Sequence, residues 1–385
     1  MLPLKPSKLE KYLSTYAFKA QELLCLSDCD PRPISQFWSE DLLDLPLGYS
    51  DPQGIFQFRE DIAKTNFKNL KAADISVTNG GEEAIFLSFI SLLKTGDEVI
   101  VQRPHYASLE AIPRSLGCEI KCWEARSTET GWIFDLDDLK KQFSEKTKLL
   151  VINFPHNPTG AHINNNELKS LKPMVEARNI YVLSDEVYRG LEYNKEDTLP
   201  SFADIYEKAI SIGSLSKTLG TPGLRTGWLA TQDINFLEKV ASSKAYTSIS
   251  PPQLNQILGQ RVLAQREKIL IENTLCIQKN LKILDSFAQD FSDCFQINLP
   301  QAGPVLFPKI KFGASASQFC KNLFSKTGVL LLPSTEMDYG SHHLRMGLGR
   351  SNFPRALEKL SQFMRQEKIF AGESAQAEHF VSLHE

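Results

Sequence analysis

From residue 75 to 230, short apolar runs alternate with longer stretches whose apolar positions recur every three or four residues. The runs are ISVT (75–78), EVIVQ (98–102), EIKCWEA (119–125), LLVINF (149–154), IYVLSDE (180–186), AISIGS (209–214) and GWLA (227–230). Between several of them lie EEAIFLSFISLLK, FDLDDLKKQFSE and NNELKSLKPMVEAR, which carry the helical period. Apolar strands separated by amphipathic helices predict an α/β fold with a mostly parallel sheet covered on both faces. Ligands of such sheets bind beyond the carboxyl ends of the strands. Gly80, Gly81, Asn157, Asp185 and Lys217 all fall there.

Residues 252–292 are helical in pattern and long enough to bridge two domains. A smaller α+β unit follows: a helix near 316–326, the strands VLLLP and HLRMGLG, and a helix from 354. This divides the chain into a large domain over 49–275 and a small domain over 276–385, which residues 1–48 join. The tail 371–385 shows no periodicity.

Composition narrows the function. The net charge is -3 and no basic run exists, which argues against nucleic acid or an anionic membrane as partner. MLPLKPSKLEKYLSTY lacks the apolar centre of a signal peptide, and no apolar run approaches the roughly 20 residues that cross a bilayer. Seven scattered cysteines fit reduced thiols, so a cytoplasmic protein is expected. Cys118 and Cys122 share one strand without a ligand turn, so no metal site is expected.

The chemistry concentrates in GSLSKTLGTPGLRTGW (213–228). Lys217 follows Ser214 and Ser216, and Arg225 comes eight residues later. Such an amine suits imine formation with an aldehyde cofactor, while hydroxyls and a guanidinium hold that cofactor's phosphate. Asn79-Gly80-Gly81-Glu82 links a strand to a helix, where glycines let backbone amides approach an anion. Asp185 ends an apolar strand and needs a cationic partner there. Arg345 sits in the alternating context of HHLRMGLGR and suits a bidentate carboxylate clamp. Read singly, Asn157-Pro158-Thr159-Gly160 is also an ordinary turn, Asp185 a strand-end charge and Tyr106 a core aromatic.

S-x-S-K with G-x-R-x-G-W behind it resembles the Schiff-base loop of class I/II pyridoxal-phosphate aminotransferases of the aspartate aminotransferase fold type. The resemblance spans roughly residues 45–350, with Tyr49, Gly80-Gly81, Tyr106, Asn157-Pro158, Asp185 and Tyr188, Ser214-x-x-Lys217, Arg225 and Arg345 in the family's order. It implies a fold type I transferase: a seven-stranded sheet between helices plus a smaller α+β domain. It also implies pyridoxal 5'-phosphate bound to Lys217 as a Schiff base, with Lys217 moving the α-proton. Asp185 would face the pyridine nitrogen, and Asn157 and Tyr188 the phenolic oxygen. Tyr106 would cover the ring opposite Val187. The amides of Gly80, Gly81 and Glu82 would hold the phosphate with Ser214, Ser216 and Arg225. Arg345, with Asn157, would bind the substrate carboxylate; Arg350 is the weaker candidate for that clamp, since it lies near the strand's end and is open to solvation there. Tyr49 would reach the neighbouring subunit's phosphate, making a homodimer with a shared site.

The implied reaction passes an amino group from an amino acid to a 2-oxo acid. Elimination, replacement or cyclisation on the same fold shares its first steps. A non-catalytic sensor is the alternative of another class. LLCLSDCDPRPISQFW within residues 1–45 and QAGPVLFPKI (301–310) depart from common aminotransferases and are similar to a branch that includes capreomycidine-synthase-like enzymes. Lys244 is the one cation in 242–256, and SDCD (27–30) brings Asp28 and Asp30 to the site's other edge. A neutral or cationic amino acid is therefore expected over aspartate or glutamate. The resemblance also singles out Arg103-Pro104 and Asn157-Pro158 as cis bonds.

Overall fold

The computed structural model describes residues 4–129, 131–367 and 369, so the tail 371–385 lies outside the described residues. The seven apolar runs form one sheet. Its strands are β1 (Ile75–Thr78), β2 (Glu98–Arg103), β3 (Glu119–Glu124), β4 (Thr147–Asn153), β5 (Tyr181–Asp185), β6 (Ala209–Ser214) and β7 (Gly227–Ala230). Their spatial order is β1-β7-β6-β5-β4-β2-β3. Every pairing is parallel except those of β7, which runs antiparallel to β1 and β6. β1, β6 and β7 are buried at every position, because helices cover both faces of the sheet. β3 is an edge strand, and only Trp123 of its six residues is buried.

Helices connect successive strands. Gly81–Leu92 follows β1 and buries Ala84, Ile85, Leu87, Ser88 and Phe89. Asn165–Glu176 begins with a capping box, in which Asn164 and Glu167 satisfy each other's backbone N–H.

The helical stretch after 252 is two helices, Gln253–Ala264 and Arg266–Asp290, parted at Gln265. The second has 25 residues and is therefore about 37 Å long. Asn273 and Asn280, two turns apart, lie on its buried face. Asn273 Nδ2 donates to the Thr218 carbonyl at 2.8 Å. Asn280 Nδ2 donates to the carbonyls of Leu348 (2.8 Å) and Arg350 (2.9 Å). One helix thus ties the Lys217 loop to the strand bearing Arg345.

The C-terminal unit holds three antiparallel strands, Val305–Leu306, Leu344–Gly347 and Leu332–Pro333, with helices Ala316–Thr327 and Phe353–Gln366. VLLLP splits into two short strands in different sheets. The first, Val329–Leu330, pairs in parallel with Glu22–Leu23, so the start of the chain packs on its last third. Residues 24–32 then form a strap between the two units. Gly347 N–H donates to the Leu24 carbonyl (2.8 Å), Cys29 N–H to Lys217 (3.2 Å) and Arg32 N–H to Gly220 (2.7 Å). Arg103-Pro104 and Asn157-Pro158 are cis, as is Phe154-Pro155. Among the described residues no helix is long and apolar enough to cross a membrane.

Candidate active site

The carboxyl ends of β1, β5 and β6 meet at one corner. Gly227 pairs with both Thr78 and Ser214. A Cβ on Gly227 would lie 2.5 Å from the Gly80 carbonyl carbon, so the turn after β1 rests directly on β7. Gly80 has φ +83°, and a Cβ there would lie 2.4 Å from Arg225 Nη2. The guanidinium therefore covers the turn. The Gly80 N–H is not free for a ligand, since it donates to the Thr78 carbonyl at 2.9 Å. The free donors are the amides of Gly81 and Glu82, in the first turn of a helix where no intrahelical acceptor exists. Ser214 Oγ accepts from the Ser216 amide at 3.0 Å and lies 2.9 Å from Ser216 Oγ. Two hydroxyls, two amides at a positive helix end and a guanidinium make a seat for a phosphate dianion.

Lys217 enters from the loop after β6. Burial lowers its pKa, Arg345 lowers it further, and Asp28, Asp185 and Glu10 oppose them. Its amine donates to Ser27 Oγ at 3.4 Å. Asp185 ends β5 and is 5% exposed. Its carboxylate accepts only from the Val187 amide, at 3.2 Å, among the described residues. Burial pushes it up to about 7, and Lys217 draws it down only in part. Tyr188 is 1% exposed, and its hydroxyl has no hydrogen-bond partner among the described residues. Ser27 stands beside that hydroxyl without reaching hydrogen-bond geometry.

A buried carboxylate with no cationic hydrogen-bond partner and an orphaned phenol are costly unless a ligand completes them. A phosphorylated pyridine aldehyde satisfies each: its ring N–H the carboxylate, its phenolic oxygen the Tyr188 hydroxyl, its phosphate the corner. The residues present therefore fit pyridoxal phosphate. Asn157 is placed to join them. Its amide N–H donates to Asn153 Oδ1 (2.8 Å) and its Oδ1 accepts from Arg345 (3.4 Å), leaving Nδ2 without a hydrogen bond among the described residues. Val187 Cγ1 lies 3.7 Å from where a Gly81 Cβ would be, so it stands under the same corner. Tyr106 is half-buried, and its hydroxyl is turned toward Glu82. His156 is buried, bonds Thr159 Oγ1 at 2.7 Å and is lowered by burial to about 3, so it stays neutral.

Arg345 is 2% exposed. Its Nε and Nη2 donate to the Cys25 carbonyl at 3.1 and 3.0 Å. It makes no ion pair among the described residues, so a buried guanidinium faces Lys217 ready for a carboxylate. Arg350 does not lie free in solvent: Nε and Nη2 donate to Asp28 Oδ1 at 3.1 and 2.9 Å. Asp30 Oδ2 accepts from the Ser351 amide at 2.8 Å. Both strap carboxylates are thus engaged by the C-terminal unit, while Asp28 still acts on Lys217 through its charge. Glu82 adds a further acidic group near the amine. Its carboxylate accepts from Ser108, and protein around it raises its pKa although it stays open to the cleft. Lys244 is sealed away, donating to the carbonyls of Pro52 and Val77, and burial lowers it to about 8. Tyr49 is 88% exposed, on the surface of the single chain.

Sequence reasoning missed Ser27, Asn153, Asn273 and Asn280. The two asparagines at heptad spacing on a helix face carried a signal, since a polar pair on an apolar stripe needs partners. Ser27 and Asn153 carried none.

The family described as "Aminotransferase class I and II" matches residues 46–360. The chain is similar to capreomycidine synthase of Streptomyces vinaceus: 27% identity over 291 residues, 75% of this chain and 74% of that protein. It is similar to aspartate aminotransferase of Thermotoga maritima: 28% identity over 346 residues, 86% of this chain and 85% of that protein. Among solved structures it superposes on a pyridoxal-phosphate-dependent aminotransferase from Streptococcus suis. That match has TM-score 0.88 and 29% identity, and covers 94% of this chain and 98% of that one.

Proposed function

The chain belongs to the class I and II aminotransferases, pyridoxal-phosphate enzymes of fold type I, and from that premise we propose that Lys217 carries the cofactor and moves the substrate's α-proton. The carrying observation is an enclosed amine, lowered by burial, near a buried Asp185 that has no cationic hydrogen-bond partner among the described residues. When bound, the cofactor supplies an aldehyde for the amine and a sink for the electrons left on Cα.

The rest is the work of the chain. Ser214, Ser216, Arg225 and the amides of Gly81 and Glu82 hold the phosphate. Asp185 keeps a proton at the ring nitrogen, and Tyr188 and Asn157 donate to the phenolic oxygen. Tyr106 and Val187 cover the ring and exclude water. Arg345 fixes the α-carboxylate of the amino acid and then of the 2-oxo acid. With its carboxylate fixed, the substrate presents its α-proton to Lys217 Nζ.

The enzyme acts on an amino acid and a 2-oxo acid. A donor with a neutral or cationic side chain is favoured, because Lys244 is sealed and Glu82 faces the cleft. The working form is a homodimer in which Tyr49 reaches the partner's site; its support here is a tyrosine 88% exposed on one chain beside exposed Leu47. Seven free cysteines fit work in the cytoplasm.

A second reading is a synthase that uses the same α-proton removal for elimination, replacement or cyclisation, and the likeness to capreomycidine synthase favours keeping it. One experiment separates them. The purified holoenzyme is given a panel of amino acids without an oxo-acid acceptor, and products are followed by absorbance and mass spectrometry. Aminotransfer stops after one equivalent of 2-oxo acid and resumes on adding a second oxo acid. Repeated turnover without acceptor would establish the synthase reading instead.

A further inference from the structure

We propose that Ser27 is a further catalytic residue, whose hydroxyl holds the Lys217 amine on its line of approach while that amine carries the proton. The assignment rests on the reading of Lys217 given above. Lys217 Nζ donates to Ser27 Oγ at 3.4 Å, the one side-chain hydrogen bond of Lys217 among the described residues. Ser27 is buried, and the strap that carries it is pinned on both sides. Arg345 holds the Cys25 carbonyl at 3.0 Å, Arg350 holds Asp28 at 2.9 Å, and Cys29 N–H donates to the Lys217 carbonyl at 3.2 Å. The backbone that carries the hydroxyl is thus held beside the amine, with the Tyr188 hydroxyl also beside it.

The chemistry follows from what an amine can do with its groups. A neutral amine has two N–H bonds and one lone pair. Giving one N–H to Ser27 Oγ restricts rotation about the last side-chain bond and turns the lone pair away from the strap. That lone pair forms a new N–H bond as the substrate's Cα–H bond breaks, and the electron pair of that bond stays behind on the carbon side. The ammonium then returns the proton, and the amine is restored. Ser27 Oγ accepts from both forms, and more strongly from the ammonium. It therefore steadies the amine between the two transfers.

Four charged groups face this amine: Asp28 from the strap, Arg345 from Leu344–Gly347, Asp185 from β5, and Glu10 from the helix Lys8–Tyr16. None of them hydrogen-bonds to it. Asp28 is itself engaged by Arg350. The hydroxyl is the direct contact, and the charges act from a distance.

The test uses two near-isosteric variants, Ser27→Thr, which keeps the hydroxyl, and Ser27→Val, which removes it at constant volume. In the apo protein, the acylation rate of Lys217 is measured against pH by peptide mass spectrometry. In the holoenzyme, the single-turnover rate is measured with ordinary and α-deuterated amino acid. Loss of the acceptor disfavours the ammonium, so Ser27→Val is expected to speed Lys217 labelling near neutrality about threefold to tenfold. The same variant is expected to slow α-proton transfer about tenfold and to raise the deuterium effect. Ser27→Thr is expected to match the wild type in both. These opposite signs are not produced by a residue that only packs. Three results would overturn the assignment: Ser27→Val behaving as wild type, labelling and turnover slowing together, or Ser27→Thr failing like Ser27→Val. If the wild type reacts with no amino acid, the aminotransfer reading fails, and the labelling profile still decides the Ser27 contact.

Discussion

The proposed phosphate corner and the proposed carboxylate clamp are built in contrasting ways. The corner is built within one sheet. Ser214 and Ser216 are two residues apart, as are Asp185 and Val187, and the surrounding elements belong to one sheet. The clamp is assembled at long range. Arg345 reaches Cys25 across 320 residues and Asn157 across 188, and Arg350 reaches Asp28 across 322. The corner therefore survives any loosening between the two units, whereas the clamp exists only while the strap and the C-terminal unit stay docked. Cofactor retention and substrate recognition should separate under mutation.

The largest break expected is at the point where the two meet. Lys217→Ala should lower single-turnover rates at least about a thousandfold, because covalent capture and proton transfer are both lost. It should also remove the absorbance of the lysine-bound cofactor. A variant that kept both would place the chemistry elsewhere.

Next comes the clamp alone. Arg345→Ala should reduce kcat/KM for the amino acid about a hundredfold, since charged hydrogen bonds contribute roughly 1.5–3 kcal/mol each. Cofactor affinity should stay within about threefold of wild type. A parallel fall in both quantities would mean that corner and clamp are one unit.

The converse change sharpens the contrast from the other side. Arg225→Ala should weaken cofactor binding about tenfold and leave the rate at saturating cofactor nearly intact. Titration of apo protein with pyridoxal phosphate measures the first, and half-reaction kinetics the second.

The smallest effect concerns pH. The Asp185 carboxyl sits at about 7 in the folded chain, against roughly 4 when unfolded. The folded apo protein thus binds that proton more tightly. Its contribution to stability is full below the unfolded value and is lost as pH rises toward 7. Apo protein should melt a few degrees lower at pH 7.5 than at pH 5.5 through this group, of the order that about 2 kcal/mol produces. Calorimetry should find the trend reduced in Asp185→Asn and cancelled by added cofactor. An identical slope in that variant would assign the titration to another group.

Much of the sheet was legible because each strand is apolar along its whole length and each crossing helix has its own period. All seven runs are strands of one sheet. The Lys217 loop was legible because its partners lie within a dozen residues. The run EIKCWEA gave no sign that it would be the exposed edge, since edge position depends on sheet order. VLLLP read as one strand and is two, because its halves pair with partners far apart in the chain.

By itself the sequence determined the alternation of strands and helices, the glycine turn at Gly80, and the grouping of Ser214, Ser216, Lys217 and Arg225. These are set by neighbours along the chain and by the period of apolar residues. The tertiary structure alone decided which arginine is free for a carboxylate. Arg345 and Arg350 stand on the same stretch, but Asp28 occupies Arg350 and leaves Arg345 without an ion pair among the described residues. It also placed Ser27 on the Lys217 amine and paired Asp28 with Arg350 and Asp30 with the Ser351 amide. A hydrophobic period states that a face will be buried, but not which distant residue will meet it. That choice is made when elements far apart in the chain pack into one continuous core, and burial then shifts the titration of Asp185 and Lys217.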